Sequence, residues 1–300
     1  MTGPEAGFLL LSCRLGNPER KVLSTAQMRS LSQRMKDFAP DDPNRDLMPE
    51  DLMKLGYSSD MANRIVSLLE EEDLLIHYLR RAQKAGCTPI PRISPLYPKI
   101  LRDRLSDEAP GCLWAKGDLE LLKNPLVSLV GSRDLNPKNV EFAAEAGRQA
   151  ALQGLTLVSG NARGADKTAQ DACLKAGGNV ISIVADSLEK HAVKEHVLYL
   201  SEEDFDADFS AQRALSRNRC IHALGEKVLV AQASYQHGGT WDGTVKNLRF
   251  RWSPVFCFDD GSPASELLCQ MGANSIALEQ LSDLKVLNGM EDNFFRAVVQ

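Results

Sequence analysis

The chain has 300 residues, enough for one large domain or two of ordinary size. Its 43% hydrophobic and 25% charged residues describe a globular protein and exclude an intrinsically disordered one. The formal net charge of −5 excludes a molecule that is polycationic throughout, so any nucleic-acid site must be a local basic patch.

Residues 1 to about 90 read as a small all-helical domain. Leu47, Leu52, Leu55, Met61, Ile65, Leu68 and Leu69 recur at spacings near three and four. The breaker-rich piece Ala39-Pro40-Asp41-Asp42-Pro43-Asn44 interrupts them. A long helix is expected from Ser59 to Ala85, stopping at Gly86. A proline-rich connector over 91–110 follows, introduced by Pro89 and Pro91 and carrying Pro95 and Pro98. There the fixed φ and missing donors favour extended or turning chain.

From about residue 111 to 282 short apolar runs alternate with helical patterns. Strands are expected at Leu126–Val130, Leu155–Val158, Val180–Val184, Val197–Leu200, Lys227–Ala231 and Val255–Phe258. Helices are expected near 137–152, 165–176, 210–223, 242–250 and 263–271, with a last helical stretch at Met290–Val299 inside a tail over 283–300. Such alternation implies α/β architecture: an extended Rossmann-like, mostly parallel sheet with helices on both faces.

Ligands of doubly wound sheets sit beyond the carboxyl ends of the strands, so the loops there are the candidates for chemistry. The first is Gly131-Ser132-Arg133, followed by Asn136-Pro137, an N-cap and a first-turn proline. It is either a phosphate-binding turn or an ordinary βα turn with a surface arginine. The second is Ser159-Gly160-Asn161-Ala162-Arg163-Gly164-Ala165-Asp166, in which Asp166 caps the helix or holds the loop. No Walker A or GxGxxG motif is present, so nucleoside triphosphate hydrolysis has no support. The third is Arg217-Asn218-Arg219. Residues 213–251 hold seven basic residues against two acids, whereas 186–208 hold eight acids against two lysines. That polarisation suits an anionic ligand on one face, or else a helix laced with surface ion pairs. The fourth is Gly238-Gly239-Thr240, a possible phosphate nest beside Tyr235 and Trp241, either of which can stack on a base or pack in the core.

Seven cysteines without a CxxC pair, and five scattered histidines, argue for buried free thiols in a reducing compartment and against zinc. The N-terminus has no basic leader, and Phe8–Leu11 is too short for a membrane span. A cytoplasmic protein without membrane association is expected.

In order along the chain, these motifs resemble the DNA-processing protein A family (DprA/Smf). Tyr97-Pro98-Lys99-Ile100-Leu101 resembles its YPxxL segment, and Leu113-Trp114-Ala115-Lys116-Gly117 its LyxkG strand. Val130-Gly131-Ser132-Arg133 is similar to VGSR, residues 159–166 to SGxAxGxD, Ser201-Glu202 to SE and Arg217-Asn218-Arg219 to RNR. Gly177-Gly178 resembles the glycine step before the next strand, and Met271-Gly272-Ala273 the late GA. The chain departs from the family at 236–244, where SGSLxTA is usual, and at Asp259-Asp260-Gly261, where PG is usual; it reads as a divergent member. No winged-helix-like C-terminal domain is read within it.

The resemblance implies a single-stranded DNA-binding protein acting in natural transformation or recombination. It implies a homodimer that protects DNA and hands it to a RecA-type recombinase, with no catalytic turnover, cofactor or metal. It places Gly131, Ser132, Arg133, Ser159, Gly160, Arg217, Asn218 and Arg219 along the DNA backbone. The full candidate set adds Asn161, Arg163, Gly164, Lys167, Gly238, Gly239 and Thr240. Two alternatives remain: a nucleotide-binding sensor signalling through the helical region, and a nucleoside monophosphate phosphoribohydrolase of the LOG type. The latter is disfavoured because Lys246 and Asn247 stand where its glutamate is expected.

Overall fold

A computed structural model describes residues 1–38 and 45–287. The expected break at Ala39–Asn44 and the terminal helix at Met290–Val299 lie outside these residues.

Five helices open the chain: α1 (Gly3–Ser12), α2 (Thr25–Arg34), α3 (Pro49–Lys54), α4 (Ser59–Leu69) and α5 (Glu72–Lys84). Capping boxes Thr2/Glu5 and Ser24/Gln27 start the first two, each satisfying amides that lack a partner inside the helix. The single helix expected over Ser59–Ala85 is two. Arg20, 7% exposed, donates to the Leu68 carbonyl near the end of α4 and to the Glu71 carboxylate just past it. Glu71 leaves the helical region at ψ 37°, and α5 begins afresh.

Strand β1 (Thr88–Pro91) is a correction to the all-helical reading of this region. It carries two prolines and lies at the sheet edge, where missing donors are tolerated. Helix α6 (Lys99–Leu105) then occupies part of the proline-rich connector, where extended or turning chain was expected.

The remaining strands are β2 (Cys112–Gly117), β3 (Leu126–Val130), β4 (Thr156–Ser159), β5 (Asn179–Ile183), β6 (Val197–Ser201), β7 (Lys227–Val230), β8 (Val255–Phe258) and β9 (Asn274–Ile276). Between them lie α7 (Pro137–Leu152), α8 (Ala165–Lys175), α9 (Ala211–Ser216), α10 (Asn218–Leu224), α11 (Gly239–Phe250) and α12 (Pro263–Gln270). One nine-stranded sheet runs β1-β2-β6-β5-β4-β3-β7-β8-β9. Its seven strands from β6 to β9 are parallel, and β1 and β2 are antiparallel additions. The chain winds outward from β3 in one direction and returns beside it at β7, so the topological switch point lies between these two strands.

Alternation along the strands builds two cores. Val127 and Leu129 face α7 and α8 through Phe142, Ala146, Ala169 and Cys173. Leu126 and Val130 face the opposite layer, where α10, α11 and α12 contribute Ile221, Leu224, Leu248 and Leu268. The helices before β1 have a core of their own around Leu52 and Ile65. Helices α1 and α5 also share a core with β2 and β6, centred on Tyr78, Trp114 and Phe205, whose ring centroids lie 4.9–5.5 Å apart. Six of the seven cysteines are buried, and all are free thiols. No described helix is long and apolar enough to cross a membrane.

Candidate nucleic-acid interface

The loops after β3 and β7 meet across the switch point. The Ser132 amide donates to the Gln232 carbonyl at 2.9 Å. The Gln232 side chain accepts from the Asn136 amide and donates to the Asp134 carbonyl. This stitch fixes Gly131, Ser132 and Arg133 beside Gly238, Gly239 and Thr240, in one depression of about 460 Å³. Helix α11 begins there behind Gly238, with no side chain capping its first amides. Their partial positive charge is available to an anion.

Arg217 reaches the same place from another segment. The helix expected over 210–223 is interrupted at this residue, between α9 and α10. The interruption sends its guanidinium inward, 5% exposed, to donate to the Ile183 carbonyl at 2.7 Å. Gly160 makes room for it: a Cβ there would stand 1.6 Å from Arg217 Nη1. Arg217 Nε has no hydrogen-bond partner among the described residues. Burial lowers the Arg217 pKa, and the nearby Asp166 carboxylate opposes that shift.

Asp166 resolves its own ambiguity by holding the loop. Its carboxylate accepts from the Ala162 amide at 3.1 Å. Burial raises its pKa, while Arg217 and the amides of Ala162 and Gly160 pull it back. The amides of this loop therefore already serve an internal anion. The start of α8 is likewise engaged, because the Ala165 amide donates to the Ser132 carbonyl. Gly164 sits at φ +85°, and an added Cβ would lie 2.4 Å from the Ser132 and Arg133 carbonyl oxygens. Only glycine fits that crossing of the two loops.

A second depression of about 360 Å³ continues past Arg217, lined by Gly160, Asn161 and Arg163 and by Asp186 and Phe209. The two share Arg133, Ala162, Ala214 and Arg217, and together form one open groove over the switch point. Arg133 is exposed, and no hydrogen bond or ion pair holds its guanidinium among the described residues. Arg163 pairs with Asp134 at 2.7 Å, with both side chains at least three-quarters exposed. A pair so open to water contributes little and exchanges readily for another anion.

Of the remaining candidates, Ser159, Lys167 and Arg219 lie outside the groove. Ser159 is fully buried and its hydroxyl accepts from Gln170 Nε2 at 2.6 Å, so it holds strand to helix. Lys167 pairs with Asp171 at 2.8 Å along α8, outside both depressions. Arg219 turns away into a separate pocket, where it pairs with the 4%-exposed carboxylate of Glu202 at 2.8 Å. Asn218 bridges the two regions and donates to the Gly239 carbonyl.

The basic stretch 213–251 is not one face. Lys227 donates to the Leu284 and Leu287 carbonyls, and Arg213 to the Asp208 carbonyl. Of its seven cations only Arg217 lines the groove. The acidic stretch 186–208 is largely structural too: Asp204 accepts from the Gly16 amide, and Asp206 from Tyr78 and Arg81. Asp186 and Phe209 escaped the sequence reading. The only signal for Phe209 is its place before Ser210, the N-cap of α9.

Residues 89–276 match the family model of the DNA recombination-mediator protein A. The chain belongs to this family.

The chain is 32% identical over 141 residues to the DNA processing protein DprA of Streptococcus pneumoniae, covering 44% of this chain and 50% of that protein. It is 29% identical over 160 residues to the protein Smf of Escherichia coli, covering 50% of this chain and 42% of that protein. The chain thus spans about half the length of the curated relatives it matches. The crystal structure of DprA from S. pneumoniae superimposes with a TM-score of 0.67 at 24% identity, over 86% of this chain and 92% of that one. DprA from Helicobacter pylori, described for its single-stranded DNA binding mode, gives a TM-score of 0.56 at 24% identity, over 66% of this chain and 94% of that one. These likenesses show that the recombination-mediator fold extends through most of the chain.

Proposed function

We propose that this chain binds single-stranded DNA along the groove over the β3/β7 switch point, as a binding protein rather than an enzyme. The observation that carries the reading is the convergence of Arg133 and Arg217 from separate segments on one groove that also meets the start of α11. Arg217 is a fixed, water-poor cation; Arg133 and Arg163 are exposed ones that close on a phosphate. The groove is open at the surface and runs past exposed Phe209 at one end, as a strand needs and a free mononucleotide does not. Family membership and the binding mode described for the H. pylori relative support the same ligand. The family's description as a recombination mediator supports the further step of passing the strand to a RecA-type recombinase.

Fluorescence anisotropy with a labelled 20-nucleotide strand, at low and at physiological salt, tests this reading. Binding at low salt that weakens as salt rises is expected. Arg217→Ala weakens it for every sequence. Absence of binding at low salt overturns the reading.

A further inference from the structure

The half of the groove beyond Arg217 is not uniformly cationic. It is lined by Arg133, Arg163 and Arg217, but also by Asp186 and Phe209. A site built only for phosphate has no use for a carboxylate, which repels the ligand. Both groups are held in place. Asp186 Oδ1 lies 3.0 Å from His191 Nε2, and the His191 ring stacks on Tyr199 with centroids 4.6 Å apart. Its other oxygen, Oδ2, makes no protein hydrogen bond or ion pair among the described residues, and the side chain is 31% exposed. Phe209 is 56% exposed, yet its neighbours are anchored: the Asp208 carbonyl accepts from Arg213, and Ser210 caps α9 by accepting from the Arg213 amide at 3.1 Å. An aromatic ring kept in water by fixed flanks is a platform awaiting a flat partner.

We infer that this half of the groove is a base-reading pocket, in which one nucleobase stacks on Phe209 and donates a hydrogen bond from its amino group to Asp186. The inference rests on the single-stranded DNA reading and adds a base preference to it. Cytosine, adenine and guanine carry an exocyclic amino donor; thymine has none, and its one ring N–H lies between two carbonyl oxygens that a carboxylate repels. Arg133 and Arg217 line the same depression and are the partners for that nucleotide's phosphate, so one pocket holds groups suited to both of its ends.

The experiment compares labelled 20-mers of dC and of dT by anisotropy at pH 7.5 and fixed low salt. The expected result is tighter binding of the dC strand by roughly 5- to 100-fold, the range of one good base contact. Asp186→Asn should erase that preference while the dT strand binds as before or better, since an amide can donate to a thymine carbonyl. Phe209→Ala should weaken both strands alike. Equal affinity of the wild-type protein for the two strands overturns base reading and leaves DNA binding standing. A preference for dC that survives Asp186→Asn overturns the role given to Asp186. Failure of both strands to bind removes the DNA reading itself.

Discussion

An added methyl group at Gly160 would overlap the Arg217 guanidinium at 1.6 Å, with Nη2 and Cζ also inside 2.4 Å. Arg217 cannot yield cheaply, since its Nη1 is bonded to the Ile183 carbonyl and the whole side chain is enclosed. Gly160→Ala should therefore expel or tilt the guanidinium. The expected outcome is a loss of about 2 kcal/mol of stability, the scale of overpacking and a broken buried contact. Strand affinity should fall at least as far as in Arg217→Ala. Urea denaturation and anisotropy on the same variant check both halves. The residue scale is also where the sequence was least legible. VGSR, SGxAxGxD and RNR mark the right loops, yet side-chain direction is set by neighbours that no motif names. Arg217 and Arg219 are two positions apart, and the break between α9 and α10 sends them to different pockets. Ser159 ends a strand, and the Gln170 opposite it claims the hydroxyl.

Strand and helix positions were readable because hydrophobic alternation and capping act over neighbouring residues. Strands β3 and β8 and helix α7 fall where the pattern put them. What the pattern hid is decided at a distance. Arg20 ends α4 from 48 residues away in sequence, and β1 is a strand only because β2 pairs with it. The acidic segment after β6 shows the same non-local logic. Burial pushes Asp204 up to about 6, helped by Asp206 and Glu203 and opposed by the Gly16 amide and Arg14. Its folded pKa thus lies above its unfolded one. Below about pH 4 both states are protonated and the fold bears no cost. Between about pH 4 and 6 the unfolded carboxylate is ionised while the folded one keeps its proton, so stability falls across that range and levels off above it. Asp204→Asn should then raise Tm at pH 8 by roughly 2–4 °C, the shift that about 1 kcal/mol gives in a domain of this size. The gain should vanish near pH 4. Differential scanning fluorimetry of both proteins across that range measures it.

The whole molecule is acidic at net −5, so its attraction for a polyanion must be short-ranged. Three arginines in the groove imply a modest salt dependence, a slope of log K against log salt of about −2 for a single strand. Arg133→Ala should make it shallower by about 0.7 and weaken all sequences equally, which titrations at four salt concentrations resolve. Overall charge counting led astray because six of the seven cations in 213–251 serve other partners or faces than the groove. Fold class, by contrast, was legible from the βα rhythm, which the doubly wound sheet repeats seven strands long. The three tryptophans fall at different stations of that sheet: Trp114 at the joint with α1 and α5, Trp241 in the first turn of α11, and Trp252 just before β8. Trp241 follows Thr240 of the groove yet is only 8% exposed and packs in the core beneath α11, with Tyr235 6.1 Å away, whereas Trp114 is 1% exposed against Tyr78 and Phe205. Of the three indoles Trp114 alone sits at that joint, so its emission reports whether α1 and α5 stay docked on β2 and β6.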